Sequence, residues 1–212
     1  IMLWTLIPAK SFHLSKRRLA GVLDEGQRAA LSAALLAHTV RVARAAFGSQ
    51  PVIVVAGGDD IGSTAREAGA DEAILAVADG LNPQLAEVAA RVPEEAALLV
   101  LHADLPLLER EDLIALAAET ASVTLAPDHW GEGTNALLQR IPDRFFAFGQ
   151  GSRAQHEHAA AIRGLSTTLV KRAGLARDLD DADDWAALER RLCVSGERLA
   201  LDDLLERLAQ PV

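Results

Sequence analysis

The chain has 212 residues, of which half are apolar, and a formal net charge of −9. This length and composition predict one globular α/β domain with a proper core and exclude a disordered chain. The acidic balance argues against a general nucleic-acid binder and a membrane-surface protein, and no apolar run is long enough to cross a bilayer. The single cysteine, Cys193, excludes an internal disulfide and favours a reducing compartment, so we expect a cytoplasmic protein.

Strands and helices alternate along the first half of the chain. Short apolar runs predict strands at 3–7, 51–58, 72–77, 98–101 and 122–127. The stretches between them predict helices at about 27–47, 63–67, 79–92 and 109–119. Asn82 is expected to be the N-cap of the third helix, with Pro83 at its first position. This alternation is typical of a parallel sheet with helices on both faces.

The rhythm changes after the fifth strand. Two short runs, at 134–140 and 144–149, are separated by a turn with Pro142 and predict an antiparallel pair or an insertion at the sheet edge. The rest of the chain predicts a helix at 152–163, a strand near 168–171 and two C-terminal helices, the last at about 197–209. Since the sequence contains no repeat or credible linker, we expect a single domain over residues 1–212.

The fourth strand ends on a carboxylate, Asp104, within LLVLHADLPLL. Burying a lone carboxylate costs free energy unless a cation or a hydrogen bond compensates it. Asp104 is therefore either a turn or N-cap aspartate or a ligand of Mg²⁺, which proteins hold with only one or two carboxylates. In ARDLDDADDW, Asp180 or, less favoured, Asp178 would be the second carboxylate, whereas Asp181 and its neighbours would cap the following helix.

A basic loop follows the first strand. Ligands of open α/β sheets bind beyond the carboxyl ends of the strands, which is where this loop lies. The stretch PAKSFHLSKRRLAG contains Lys10, Lys16 and Arg18. It is either a solvated basic segment or a loop that wraps a triphosphate through its cations and backbone N–H groups.

Two glycine-containing stretches in the second half are candidates for another ligand site. GEGTNALL contributes hydrogen-bonding side chains, Thr134 and Asn135, next to glycines that allow close approach to the backbone. FGQGS contributes Gly149, Gly151 and Ser152 immediately before a helix, whose N-terminus would attract an anion. Plain helix capping explains the second stretch equally well.

Six ordered motifs resemble the 2-phospho-L-lactate guanylyltransferase family of coenzyme F420 biosynthesis, which includes enzymes that use phosphoenolpyruvate or 3-phosphoglycerate. They are PAKSFHLSKRRLA, DGLNPQL, HADLPLL, GEGTNALL, FGQGS followed by His156, and DLDDADDW. The resemblance spans about Leu3 to Leu188. The resemblance implies a Rossmann-like, glycosyltransferase-A-like nucleotidyltransferase fold with a mainly parallel mixed sheet flanked by helices. It also implies a nucleotide-binding half at about 3–127 and an acceptor-binding half at about 128–190.

The same resemblance implies the reaction and the roles of individual residues. GMP would pass from GTP to a phosphorylated three-carbon acid, with release of pyrophosphate, and Asp104 and Asp180 would bind Mg²⁺. The triphosphate would be held by Lys10, Lys16 and Arg18, beside Pro8, and the guanine or ribose would lie by Gly80, Leu81 and Asn82. The acceptor's phosphate or carboxylate would be received by Thr134, Gly149, Gly151 and Ser152, with Asn135 in support. Because Arg153 stands where the family has an aromatic residue, the choice among 2-phospho-L-lactate, phosphoenolpyruvate and 3-phospho-D-glycerate stays open.

Two other functions compete with this one. Another Mg²⁺-dependent nucleotidyltransferase, of molybdenum-cofactor or sugar-nucleotide type, would carry a glycine-rich first loop where this chain has Pro8-Ala9-Lys10. A non-catalytic nucleotide-binding module would tolerate the loss of one metal carboxylate, but both candidates are present. The apolar stripe of ERLALDDLLERLA would pack on the core or on a second subunit, so a homodimer is possible.

Overall fold

The computed structural model describes residues 2–193 and 196–212. The strands within this part of the chain are β1 (Leu3–Ala9), β2 (Val52–Ala56), β3 (Glu72–Leu75), β4 (Ala97–Leu101), β5 (Val123–Pro127), β6 (Thr134–Gln139) and β7 (Thr167–Leu169). The α-helices are α1 (Glu25–Phe47), α2 (Gly62–Glu67), α3 (Leu81–Ala89), α4 (Arg110–Ala118), α5 (Ser152–Ala161), α6 (Ala173–Ala176), α7 (Ala182–Leu192) and α8 (Leu201–Ala209). Short 3-10 turns lie at Phe12–Leu14, Arg17–Leu19 and Asp59–Ile61.

All seven strands belong to one sheet, in the order β3-β2-β1-β4-β6-β5-β7. The first four strands are mutually parallel, and β7 is parallel to β5. Only β6 runs against its neighbours, β4 and β5. The expected mainly parallel mixed sheet is therefore confirmed, and the amino end of β6 meets the carboxyl ends of β1 and β4 at one edge.

The predicted edge pair at 134–140 and 144–149 is wrong. All six residues of β6 are buried, and the strand lies inside the sheet between β4 and β5. Residues 144–149 form no strand. The side chain of Gln139 explains why: its Nε2 donates to the Phe145 carbonyl at 3.0 Å and its Oε1 accepts from the Phe145 N–H at 3.1 Å. A side-chain amide thus satisfies the peptide groups that a partner strand would otherwise pair.

Helices cover both faces of the sheet, as the alternation predicted. One face packs against α1, α2, α4 and α6, with Leu36, Val40 and Leu113 in its core. The other packs against α3 and α5, with Leu85 and the rings of Phe145 and Phe148. No helix within residues 2–193 and 196–212 is long and apolar enough to span a bilayer.

The C-terminal helices form a third apolar cluster with α1. Leu204 and Leu208 of α8 are buried against Leu31 and Leu35 of α1, together with Trp185 of α7. The apolar stripe of the last helix therefore packs on the core of its own chain, and the homodimer stays a prediction without that support. The helix begins at Leu201, later than expected, and residues 194–195 lie outside the described residues.

The short helix α6, which was not predicted, fixes the segment that leads to the acidic motif. The buried carboxylate of Asp112 accepts from Arg172 Nε at 2.9 Å and from the Glu109 N–H at 3.1 Å. Gly174 passes so close that a Cβ there would overlap the Asp112 carboxylate and the Leu107 carbonyl. Only glycine lets the chain approach α4 this closely.

Candidate active site

A cavity of about 450 Å³ opens at the carboxyl ends of β1 and β4. It lies where open α/β sheets bind ligands, because β1 and β4 are neighbours and the chain runs from β1 to β2 in one direction along the sheet and from β4 to β5 in the other. Of the residues singled out in the sequence, the cavity is lined by Pro8, Lys10, Lys16, Arg18, Leu81, Asp104 and Asp180. Four separate motifs of the sequence therefore converge on one cavity.

Lys16 joins the two carboxylates predicted to bind metal. Its Nζ lies 2.9 Å from Asp104 Oδ2 and 3.5 Å from Asp180 Oδ1, and its side chain is only 7% exposed. Burial alone would lower the pKa of Lys16, but the Asp104 and Asp180 carboxylates raise it above its ordinary value. Burial would likewise raise the pKa of Asp104, but the Lys16 ammonium lowers it. Both groups are therefore charged at neutral pH.

The outer side of this cluster is open to solvent. Arg18 NH1 lies 3.5 Å from Asp180 Oδ2, with the arginine 74% and the aspartate 46% exposed. Lys10 is exposed and Arg17 also lines the cavity. A ligand that enters from solvent would therefore meet several exposed cations before it reaches the buried Lys16.

The loop that carries Lys16 has a constrained backbone. Lys16 has φ 56° and ψ 31°, the only left-handed conformation of a non-glycine among the described residues. The start of the loop is tied down by Asp60, whose Oδ2 accepts from the Phe12 N–H at 2.7 Å and from Ser11 Oγ at 3.0 Å. Asp60 was not among the predicted site residues, because a carboxylate after the second strand has no local feature that assigns it to a distant loop.

The acidic motif is held against Asp104 by backbone contacts. The Leu179 N–H donates to the Asp104 carbonyl at 2.9 Å, which sets Asp180 beside the cavity. Asp181 caps α7 in a capping box with Asp184, as predicted. Asp178 lies outside the Lys16 network, and burial followed by the nearby Asp104 charge raises the pKa of its carboxyl to about 6. Asp180 rather than Asp178 thus shares the lysine with Asp104.

Asp104 and Asp180 fit a magnesium ion better than a metal caged by protein. Among the described residues no group of three or more His, Cys, Asp or Glu side chains could hold a metal. Mg²⁺ needs only one or two carboxylates, since water and substrate phosphates complete its octahedron. Asp104 Oδ1 is buried and has no hydrogen-bond partner within the described chain, so it is suited to a cation.

The residues predicted to lie by the guanine or ribose, Gly80, Leu81 and Asn82, differ in what they contact. Gly80, with φ +89°, is the N-cap of α3, so the expected capping role of Asn82 is wrong. Asn82 instead donates from Nδ2 to the Phe148 carbonyl at 2.9 Å and accepts on Oδ1 from the Phe148 N–H at 2.8 Å. Leu81 and Gln84 line the cavity. Gln84, which the sequence analysis did not select, donates from Nε2 to the Ala78 carbonyl at 3.0 Å.

The predicted acceptor residues meet in a buried hydrogen-bonded cluster. Thr134 Oγ1 lies 3.2 Å from both Ser152 Oγ and His156 Nδ1. His156 Nε2 accepts from the Ala147 N–H at 3.0 Å, which leaves its proton on Nδ1. Burial, the largest cause, lowers the pKa of His156 to about 4, so the ring is neutral. This cluster orders the loop before α5.

The glycines of that loop lie at its surface, whereas Asn135 lies inside. Gly149 and Gly151 have backbone φ angles of +136° and +66°, which residues other than glycine rarely adopt. Asn135 is buried and donates from Nδ2 to the Leu175 carbonyl at 2.9 Å, so it joins β6 to α6. His102 lines the cavity and its ring lies 5.1 Å from that of Phe148.

Solved structures share this fold. A nucleotidyl transferase from Methanothermobacter thermautotrophicus superposes with a TM-score of 0.61 at 14% identity, over 90% of this chain and 97% of that one. A Mycobacterium tuberculosis protein in complex with manganese superposes with a TM-score of 0.54 at 18% identity, over 89% of this chain and 98% of that one. The expected nucleotidyltransferase fold is thereby confirmed.

The family is established by sequence. The family described as "Guanylyl transferase CofC like" matches residues 3–207. A phosphoenolpyruvate guanylyltransferase of Roseiflexus sp. (strain RS-1) is 39% identical over 206 residues, 94% of this chain and 91% of the relative. A 2-phospho-L-lactate guanylyltransferase of Haloarcula marismortui is 36% identical over 175 residues, 81% of this chain and 78% of the relative. The chain therefore belongs to the CofC-like guanylyl transferase family and is a nucleotidyltransferase.

Proposed function

We propose that the protein transfers GMP from GTP to a phosphorylated three-carbon acid and releases pyrophosphate, as a step of coenzyme F420 biosynthesis. The observation that carries this proposal is the buried Lys16, which contacts both Asp104 and Asp180 at the carboxyl ends of β1 and β4. Phosphoenolpyruvate is the first acceptor to consider, since the relative at 39% identity is named for it, ahead of 2-phospho-L-lactate and 3-phospho-D-glycerate.

Asp104 and Asp180 would hold Mg²⁺, which would supply positive charge to the phosphates of the nucleotide. Lys16 would remain next to those phosphates as a fixed cation, because its short contact to Asp104 leaves it little freedom. Lys10 and Arg18, which are exposed, would close on the outer phosphates. The chain would thus neutralise the triphosphate from the inside and the outside of the cavity.

Leu81 and Gln84 would contact the base. The Gln84 Nε2 donates to the Ala78 carbonyl and the residue lines the cavity, so its Oε1 would be the atom left to accept a hydrogen bond from the base. The guanine edge carries two adjacent donors, N1–H and the N2 amino group, which an amide oxygen and a neighbouring carbonyl oxygen can accept. Adenine presents only one donor on that edge, next to an acceptor, and would leave an oxygen unpaired.

The acceptor would bind at the loop that ends with Ser152. Backbone N–H groups at the start of α5 favour an anion, and Gly149 and Gly151 leave the backbone accessible. The hydrogen bond between Thr134 and Ser152 would stabilise the buried side of this loop, and Asn135 would hold β6 in place through its bond to the Leu175 carbonyl. A phosphate monoester is already anionic at neutral pH, so its oxygen could attack the α-phosphorus without a protein base. The residues would act by positioning and charge neutralisation.

The test is pyrophosphate release from GTP and MgCl₂ with each of the three acceptors in turn. We expect release that requires an acceptor and stops when the divalent cation is chelated. No release with any acceptor would refute the proposed reaction. A nucleotide-dependent rise in melting temperature without turnover would favour a non-catalytic nucleotide-binding module. The cytoplasmic location and the homodimer stay predictions.

A further inference from the structure

We propose that Asn82 is a positioning residue that holds the acceptor loop, residues 147–152, beside the nucleotide pocket, and that it is not a nucleotide ligand. This inference rests on the proposed function, because it takes that loop as the place where the phosphorylated acid binds. It assigns Asn82 a task different from the one its neighbours Gly80 and Leu81 would have.

The side-chain amide of Asn82 is bonded to the loop through both its nitrogen and its oxygen. Its amide pairs with both peptide groups of Phe148, at 2.9 Å and 2.8 Å, across 66 residues of sequence. One donor and the main acceptor of the side chain are used, and both bonds point at the chain just before Gly149. A side chain held in this way is poorly placed to hydrogen-bond a ribose or a base at the same time.

The loop is held from its other side by the buried cluster. The Ala147 N–H donates to His156 Nε2, and His156 contacts Thr134 through Nδ1. The rings of Phe148 and His156 meet edge to face, with centroids 4.7 Å apart. Asn82 and His156 therefore hydrogen-bond two consecutive residues, Phe148 and Ala147, and the backbone turns immediately afterwards at Gly149.

Asn82 also connects the two substrate sites. It follows Leu81, which lines the nucleotide cavity, on the first turn of α3. A shift of that turn would move the nucleotide wall and the acceptor loop together. Because in-line transfer demands that the two substrates be held at a fixed separation, a direct link of this kind serves the reaction.

Gln139 offers a matched control. Its side-chain amide makes the same double contact with Phe145, at 3.0 Å and 3.1 Å. The pair lies in the same segment but before Phe148, on the side away from Gly149 and Ser152. If such amide pairs only stabilise the fold, loss of either should have the same effect on the kinetics.

The experiment compares Asn82→Ala and Gln139→Ala by steady-state kinetics with GTP and the acceptor varied separately. Losing two hydrogen bonds to the loop should raise the acceptor KM about tenfold in Asn82→Ala. The GTP KM should stay within about twofold, because no nucleotide contact is lost. In Gln139→Ala the melting temperature should fall, whereas both KM values should stay within about twofold in the folded enzyme. Asn82→Asp keeps the oxygen that accepts from the Phe148 N–H but loses the donor to the Phe148 carbonyl, so it provides a second variant with the same expected rise in the acceptor KM should the alanine variant not fold.

A second measurement does not depend on turnover. Amide hydrogen exchange should become faster over residues 147–151 in Asn82→Ala, and in Gln139→Ala only near Phe145. An increase confined to the GTP KM, equal acceptor effects in the two variants, or unchanged exchange over 147–151 would overturn the inference. Absence of turnover in the unmodified enzyme would instead count against the proposed function.

Discussion

Replacing Lys16 with methionine tests the ion pairs at the centre of the site. Methionine keeps an unbranched side chain of nearly the same length, without a β-branch, so the left-handed backbone at this position is not strained further. What is lost is the ammonium that lies 2.9 Å from Asp104 and 3.5 Å from Asp180. The variant leaves two carboxylates near each other with no buried cation between them.

The size of the effect follows from burial. Removing one partner of a fully buried ion pair costs about 3–5 kcal/mol. Lys16 is 7% exposed but Asp104 is 25% and Asp180 46% exposed, so solvent would relieve part of the cost. We therefore expect a loss of about 3 kcal/mol in the free energy of unfolding, or about 6–12 °C in melting temperature for a chain of this size.

The loss should depend on pH with a defined sign. In the unmodified protein, Lys16 lowers the pKa of Asp104, so that contribution to stability is present above the ordinary carboxyl pKa and is lost as the pH falls through the lowered value. Without the lysine, burial is left to raise the pKa of Asp104, and acidification would then relieve the variant. The difference in melting temperature between the two proteins should therefore narrow from about pH 8 to about pH 5.

Thermal unfolding followed by circular dichroism, with and without MgCl₂, measures these quantities. Lys10→Met is the control, because it removes the same charge from an exposed position on the same loop. We expect MgCl₂ to restore more stability to Lys16→Met than to the unmodified protein, since a divalent cation can replace the lost charge. Equal melting temperatures for the two variants, or a difference that widens on acidification, would refute this reasoning.

Four further predictions concern single side chains. Asp104→Asn should lower the rate of pyrophosphate release about 100-fold or more, and it should also lower the melting temperature, because the buried Lys16 ammonium loses its nearest counter-charge; a full rate would exclude the metal role. Folding keeps His156 neutral with its pKa near 4, so its contribution to stability is present above the ordinary histidine pKa and is lost as the pH falls toward that lowered value. His156→Gln should accordingly flatten the fall in melting temperature between about pH 6.5 and pH 5, and a curve parallel to that of the unmodified protein would contradict this. Gly174→Ala should destabilise the fold by about 2 kcal/mol or more, whereas Gly21→Ala, where a methyl group meets no atom within 4 Å, should not; thermal melts of the pair decide. Gln84→Leu should reduce the preference for GTP over ATP, whose base presents one donor next to an acceptor on that edge, as measured by the ratio of kcat/KM values; an unchanged ratio would remove Gln84 from base recognition.

The parts of the fold that depend on local pattern were predictable. Alternating apolar and helical stretches gave the order of β1–β5 with their helices, because each element must bury its own apolar face. Asp104 was recognisable since a carboxylate at the end of a buried strand requires a partner, and that partner is present as Lys16. The helix cap at Asp181 follows from neighbours in sequence, so it too was predictable.

The features that sequence could not predict depend on contacts between distant residues. Residues 144–149 have the apolar pattern of a strand, but the Gln139 amide occupies the peptide groups of Phe145. Asn82 next to Pro83 is typical of a helix start, but the Asn82 side chain hydrogen-bonds the backbone of Phe148 instead. A side-chain amide that replaces a strand partner leaves no periodic signal, so neither contact can be read from one sequence.

The place of β6 within the sheet limits how the enzyme can move. Its ladder joins Leu98–Leu101 of one half to Ala136–Gln139 of the other, so the two halves are parts of one rigid layer without a hinge. Rotating one half against the other would break these buried hydrogen bonds. Any closure around the substrates would therefore come from groups beyond the strand ends, chiefly the exposed side chains of Lys10 and Arg18 and the glycine turn at 149–151. Such loop motions typically take nanoseconds to microseconds, faster than the opening of whole domains.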